Sequence, residues 1–246
     1  MAAAKKIILI TGATSGIGFE LAAQLAAKGS YHVLMGARSL EKGNASLSAL
    51  KAQNLAGAIE MLHLDVTQDD TIERAVATVE RNFGKLDILV NNAAIAAMSP
   101  PLRQQMQDAF NTNATGPLLV GSAFAPLLRA SSDSPRIVNI SSGAGSIGRR
   151  LDPSSPLYKV HGQYQYRASK AALNMVTACQ YVEYGPEIKV FAYDPGFTQS
   201  NLSPHNVAEH GARAASDSVM PLVDVLEGRR DDEAGRLLHN TGTYPW

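Results

Sequence analysis

The chain has 246 residues, of which 45% are apolar, with 22 basic and 22 acidic side chains and a formal net charge of zero. Such a chain is globular, not disordered, and without a basic run it argues against a nucleic-acid or membrane-surface partner. The single cysteine, Cys179, excludes an intramolecular disulfide and a cysteine-rich metal site, and its apolar neighbours in NMVTACQYV read as core.

Lys5 and Lys6 precede only four consecutive apolar residues, too few for a signal-peptide core, and no run approaches the roughly 18 that a membrane span needs. The expectation is a soluble, cytoplasmic protein. From there, strand-like and helix-like segments alternate. KIILIT leads to a helical stretch near 17–28, YHVLMGA (31–37) to 40–54, and GAIEMLHLD (57–65) to 69–82. LDILVNNA (86–93) leads to 102–129, RIVNISS (136–142) to 165–184, and IKVFAYD (188–194) to a helix near 212–227; a last strand is expected near 235–239. Gly29 and Gly84 stop the first and third helices, and Thr67 and Asp69 are candidates to cap the third.

Short apolar strands separated by amphipathic helices imply a parallel sheet covered on both faces. The fold class is therefore α/β: a doubly wound, Rossmann-like domain of about seven parallel strands flanked by helices. No linker or repeat divides the chain, so residues 1–246 read as one dinucleotide-binding and catalytic domain. The Gly-, Ser- and Pro-rich stretch 143–162 and the stretch 196–211 follow strands, at the sheet edge where ligands bind in such folds.

The first strand runs into Gly12-x-x-x-Gly16-x-Gly18, not the usual G-x-G-x-x-G. Glycine allows tight turning and close backbone approach, and the following helix N-terminus supplies free N–H groups suited to a pyrophosphate. A glycine-rich turn with no ligand is the plain alternative. About 20 positions on, such a turn expects an acid that accepts from the ribose of NAD. Arg38 stands there instead. A guanidinium pairs with a 2′-phosphate, which favours NADP over NAD, unless Arg38 is an ordinary surface arginine. Ser39 could add a phosphate hydrogen bond.

Tyr166 and Lys170 in YQYRASKAALNMV are four apart and share a helix face. A free phenol, with a pKa of about 10, is a poor base at neutral pH. Lowering it by about three units requires roughly 4 kcal/mol, which an adjacent ammonium plus an oxidised nicotinamide could supply. Tyr166 could then give a proton to a carbonyl oxygen or take one from an alcohol. Tyr158 and Tyr164 have no lysine four residues on.

Taken together, the motifs resemble those of the short-chain dehydrogenase/reductase family, over nearly the whole chain and in family order. They are TGATSGIG (11–18), Asp65-Val66, NNAA (91–94), Asn113 in NTNATG, NISS (139–142), YRASK (166–170) and PGFTQS (195–200). The resemblance implies a catalytic set of Asn113, holding a water in the proton relay; Ser142, bonding the substrate carbonyl; Tyr166, the general acid/base; and Lys170, binding the nicotinamide ribose and lowering the tyrosine pKa. It implies NADP(H) contacts from Gly12, Thr14, Ser15, Gly16, Ile17 and Gly18 in the turn, and from Arg38 and Ser39 after the second strand. Asp65 and Val66 would contact the adenine. Asn91, Asn92 and Ala93 would lie along the cofactor, joined by Tyr166, Lys170, Pro195, Gly196 and Thr198. Ser141 competes with Ser142, and Asn91 and Asn113 could only tie backbone together.

The chain departs from the family pattern in several places. Ala94 replaces the glycine of NNAG, Ser200 stands where threonine is commoner, and Thr14 and Ser15 occupy turn positions that are often basic in NADP-preferring members. Ser142 and Tyr166 are 24 apart, about eleven more than the family usually has, so an insertion reshapes the substrate loop. Within the family the chain is most similar to single-domain carbonyl reductases and ketoreductases of secondary metabolism.

The expectation is an NADPH-dependent reductase of a ketone or aldehyde on a small, apolar or aromatic compound, with a pocket lined from 94–99, 143–162 and 196–220. An NAD-dependent alcohol dehydrogenase working oxidatively and a non-catalytic NADP-binding regulator are the alternatives. No metal is expected; His161, His205 and His210 lack ligand-like spacing. A homodimer or homotetramer through the long helices 102–129 and 165–184 is possible, and the insertion could obstruct it.

Overall fold

The computed structural model describes residues 5–96, 98 and 101–246. Its sheet has the order β3-β2-β1-β4-β5-β6-β7-β8. The strands are β1 (Lys6–Thr11), β2 (Tyr31–Ala37), β3 (Ala58–His63), β4 (Ile88–Asn91), β5 (Arg136–Ile140), β6 (Lys189–Tyr193), β7 (Leu237–His239) and β8 (Gly242–Tyr244). The first seven are mutually parallel, as expected; β8 is an addition, antiparallel to β7. The strand order reverses between β1 and β4, which opens a crevice at their carboxyl ends.

Alternation along β1 feeds two cores. Ile8 and Ile10 pack on one side with Leu21, Leu25, Val219 and Leu222, and Ile7 and Leu9 on the other with Val79, Val120 and Phe124. These residues belong to α1 (Gly16–Ala27) and α8 (Ala215–Leu226) on one face, and to α3 (Asp69–Phe83) and α5 (Gly116–Arg129) on the other. Both faces of the central strands are thus dry, which is why those strands read as unbroken apolar runs.

Local signals explain most helix boundaries. Gly29 (φ +73°) and Gly84 (φ +66°) take the left-handed conformation that ends α1 and α3. Ser39 caps α2 (Leu40–Lys51), its hydroxyl accepting from Lys42 N at 3.3 Å. The expected caps of α3 are corrected: Gln68 holds the cap position, without a side-chain bond. The Thr67 hydroxyl instead donates to Asp65 Oδ1 at 2.7 Å.

The helix expected over 102–129 is broken. α4 (Leu102–Phe110) gives way to a π-helical turn, Asn111–Thr115, before α5. The irregular stretch 143–162 contains a short helix, α6 (Ile147–Leu151). Arg150 Nη1 gathers the rest of it, donating to the carbonyls of Leu157, Tyr158 and Val160 at 2.8–3.0 Å.

On α7 (Tyr164–Tyr184) the hydrophobic pattern misleads. The helix buries Ser169, Lys170, Asn174, Thr177 and Gln180 and exposes Met175 and Val182. Cys179 lies on that outer face and is exposed, which overturns its reading as core. The polar face is buried because β5 offers it partners: Asn139 Nδ2 donates to Thr177 Oγ1 at 3.0 Å and to Gln180 Oε1 at 2.9 Å.

Candidate active site

The glycine turn is gripped from two sides. Gly12 (φ +64°) lies so close to the chain after β4 that a Cβ would sit 2.8 Å from Ala93 Cα. A Cβ on Gly18 would sit 2.7 Å from Gly12 O, so helix meets strand without a spacer. The Thr11 hydroxyl accepts from the backbone N–H groups of Asn92 and Ala93 at 2.9 and 3.0 Å. Asn92 Nδ2 returns hydrogen bonds to the carbonyls of Thr11 and Gly12 at 2.9 and 3.1 Å.

Ser15, exposed at the N-cap of α1, makes no side-chain cap bond, so the first N–H groups of that helix have no side-chain acceptor of their own. The cradle fits a pyrophosphate on this ground. Gly16 faces the loop after β6, its Cβ position 3.0 Å from Ser200 Cβ, and the partly buried Ile17 packs on the core. Thr14 presents its carbonyl to the Ser46 hydroxyl of α2 at 3.0 Å.

Arg38 is exposed at the end of β2, with no ion pair among the described residues. The Ser39 hydroxyl beside it is engaged as the α2 cap. Asp65 Oδ1 holds Thr67, while Val66 is buried against Gly116. Asn91 is buried and bonded to Asn139 Oδ1 at 2.8 Å. Its side chain ties β4 to β5.

On the other side of the crevice the two serines differ. Ser141 is buried, its hydroxyl held by Asn174 Oδ1. Ser142 is only half-buried, and its Oγ accepts from Ala144 N at 3.1 Å. It also interacts with the Tyr166 phenol, which ties the two nearest candidates together. Tyr158 and Tyr164 are 41% and 67% exposed, so neither rival shares that setting.

Lys170 is almost fully buried, and its Nζ donates to Ile140 O at 2.7 Å. Asn113, in the π-helical turn, is fully buried with its amide saturated. Its Oδ1 accepts from Ile95 N at 2.9 Å, and its Nδ2 donates to Ile95 O and Ser169 Oγ, both at 2.9 Å. These bonds lock the π turn to α7 and to the loop after β4.

The electrostatics differ from the simple lysine–tyrosine picture. Burial pushes the Tyr166 phenol well above its usual range; the Asp194 charge raises it further, and Ser142 opposes both. Burial also brings the Lys170 ammonium down to about 8, with Asp194 opposing. The pair so arranged keeps its phenolic proton at neutral pH. Asp194, directly before Pro195, was not among the expected site residues. The only signal for it in the sequence is its position at the end of a strand that leads into a ligand loop.

That loop is internally bonded. Asp194 Oδ1 accepts from Gly196 N at 2.9 Å, Arg213 Nη2 donates to Pro195 O at 2.7 Å, and the buried Thr198 hydroxyl donates to Ser218 Oγ at 2.8 Å. Next to it an open cleft of about 410 Å³ is lined by Ala96, Met98, Ser200, Leu202, Pro204 and Val207, among others. These come from two of the three expected pocket segments; Ala97 and Ser99 lie outside the described residues. His161, His205 and His210 are exposed, and no metal-holding cluster occurs among the described residues. No described helix is long and apolar enough to cross a membrane.

A family model for short chain dehydrogenases matches residues 6–210. The chain belongs to the short-chain dehydrogenase/reductase family, and is thus an oxidoreductase of small molecules that works with a nicotinamide cofactor. It is 37% identical over 249 residues to the short-chain dehydrogenase anuI of Penicillium roqueforti, covering 98% of this chain and 97% of that one. The short-chain dehydrogenase/reductase tropE of Talaromyces stipitatus is 32% identical over 261 residues, covering 97% and 96%. Among solved structures, the NADPH-bound carbonyl reductase from chicken fatty liver superposes with a TM-score of 0.80 at 28% identity, covering 99% and 100%. The carbonyl reductase Sniffer of D. melanogaster gives 0.82 at 26% identity, covering 99% and 100%.

Proposed function

We propose that this protein is a cytoplasmic NADPH-dependent reductase that delivers a hydride to a ketone or aldehyde carbon of a small apolar or aromatic compound, with Tyr166 protonating the oxygen. The observation that carries the reading is the partly buried Tyr166 phenol placed against Ser142, with the Lys170 ammonium 5.7 Å from its ring centre. A proton donor must hold its proton until the carbonyl oxygen gains charge, and burial favours that neutral form.

Reduced nicotinamide supplies the hydride when bound. The chain's own residues do the rest. Gly12, Gly16 and the α1 N-terminus would hold the pyrophosphate, and exposed Arg38 the 2′-phosphate. Ser142 would orient the carbonyl against Tyr166. Lys170 would bring a charge to the ribose side of the site, and Asn113 would keep the π turn against α7. Binding NADPH rather than NADH also accords with the NADPH-bound chicken carbonyl reductase. A role in secondary metabolism rests on resemblance to the fungal relatives. The apolar side chains of Met98, Leu202 and Val207 in the cleft support an apolar substrate.

The test is a panel of aliphatic, aromatic and polycyclic carbonyl compounds, followed by NADPH absorbance. Turnover with at least one aromatic or large apolar carbonyl is expected. NADPH binding without oxidation across the whole panel would instead leave a non-catalytic dinucleotide-binding protein.

A further inference from the structure

We propose that Asp194 is a positioning residue of the reduction: its carboxylate clasps the loop carrying Ser142 to the loop at Pro195–Thr198 and sets a fixed negative charge beside the Tyr166–Lys170 pair. The proposal rests on the reductase reading and adds to it a residue that the family motifs do not include.

The geometry is two-sided. Oδ2 accepts from Gly143 N at 2.9 Å, directly after Ser142, and Oδ1 accepts from Gly196 N at 2.9 Å. The carboxylate is 8% exposed and comes from the end of β6, where Asp194 N donates to Leu238 O of β7 at 2.7 Å. Gly143 leaves it room: a Cβ there would lie 2.9 Å from Oδ2 and would run into the Arg149 guanidinium. Ser142 Oγ itself accepts from Ala144 N, so both N–H groups that directly follow the serine are held. The clasp therefore sets the separation of two loops that must face one substrate between them, and small misplacements there are costly to rate.

The charge has a second role. Tyr166 and Lys170 face it from α7, Arg149 from α6, His239 from β7, Arg213 from the segment before α8, and Tyr193 from its own strand. Arg149 is stacked on Tyr244 at 3.8 Å and Arg213 is bonded to Pro195 O, and no direct ion pair to Asp194 occurs among the described residues. The charge is therefore not cancelled by one partner. It raises the pKa of both the phenol and the ammonium, keeping the proton of one and the charge of the other.

Asp194→Asn removes the charge and turns an N–H₂ toward one of the two backbone donors. Asp194→Glu keeps the charge and lengthens the arm. Both are made in the full chain. Two quantities are followed: Lys170 titration by ¹³Cε-lysine NMR, assigned with Lys170→Met, and the pH profile of kcat/KM with saturating NADPH. In Asp194→Asn the Lys170 titration and the basic limb of the profile should both move down by roughly one pH unit. Asp194→Glu should titrate like the native chain while kcat falls about tenfold or more, since the longer arm cannot meet both N–H groups.

Native titration together with native kcat in Asp194→Asn would overturn the proposal. If that variant does not fold, native kcat in Asp194→Glu overturns it instead. The titration needs no turnover, so a chain inactive on every carbonyl compound would remove the reductase reading while the NMR shift still decided the role of the charge.

Discussion

The ammonium nitrogen of Lys170 lies 5.7 Å from the centre of the Tyr166 ring, one helical turn away on α7. Spacing alone anticipates this neighbourhood, and with it a depressed phenol. The phenol is raised instead. Desolvation is the largest influence on each group and favours the neutral form of both. The lysine directs its nitrogen to Ile140 O, so its charge is not aimed at the phenolic oxygen. An arrangement of this kind favours proton donation over proton abstraction, the direction a reduction needs.

Tyr166→Phe removes the phenolic hydroxyl and little else. Turnover should fall by a factor of about 10² to 10⁴, the usual worth of a positioned acid. The NADPH dissociation constant, read from quenching of protein fluorescence, should change less than threefold, because the pyrophosphate cradle lies across the crevice. Rates close to native in this variant would remove Tyr166 from the acid role.

Lys170 gives a stability prediction with a definite sign. Its native pKa is about 8 against an ordinary 10.5. Between those values the unfolded chain binds more protons than the native one, so stability rises as pH rises from about 8 to 10.5. Below pH 8 the full cost of the buried charge is present. Lys170→Met removes that cost but leaves Ile140 O without its donor, a loss of about 1 kcal/mol. The variant should be more stable than the native chain by about 1–2 kcal/mol at pH 7, with the advantage gone by about pH 10. Urea unfolding at the two pH values reads it, and a pH-independent difference would count against the buried charge. Activity should be lost in the same variant, a trade of function for stability.

Arg38→Asp should reverse the cofactor preference. An exposed guanidinium without an ion pair is free to meet a 2′-phosphate, and a carboxylate there would repel it. Losing charge-assisted hydrogen bonds costs roughly 1.5–3 kcal/mol, so the NADPH:NADH ratio of kcat/KM should drop about 10- to 100-fold. Initial rates with both cofactors measure it. An unchanged ratio would place 2′-phosphate recognition elsewhere.

Much of the architecture could be read from residue order. The central parallel strands appear as short apolar runs because they are dry on both faces, and the glycine turn announces itself because Gly12 and Gly16 need positive φ. β8 escaped notice because three residues on an edge carry almost no periodic signal. The π turn escaped because it is held by Asn113 bonds to Ile95 and Ser169, partners 18 and 56 residues away. Cys179 reads as core because apolar neighbours normally mark the buried face; on α7 the buried face is the polar one, bonded to Asn139 of β5.

Periods of two and of 3.6 residues are local properties, so the linear order of amino acids decided the strands, the helices, the phosphate-type turn and the i,i+4 placement of Tyr166 and Lys170. Which hydroxyl is left open, Ser142 rather than Ser141, followed only when Asn174 arrived from α7 to hold the other. The protonation of the tyrosine, and the bridge from Asp194 to a backbone N–H 51 residues away, likewise depend on burial and on long-range partners. Dielectric surroundings and hydrogen-bond partners are properties of the assembled fold, and no stretch of sequence carries them alone.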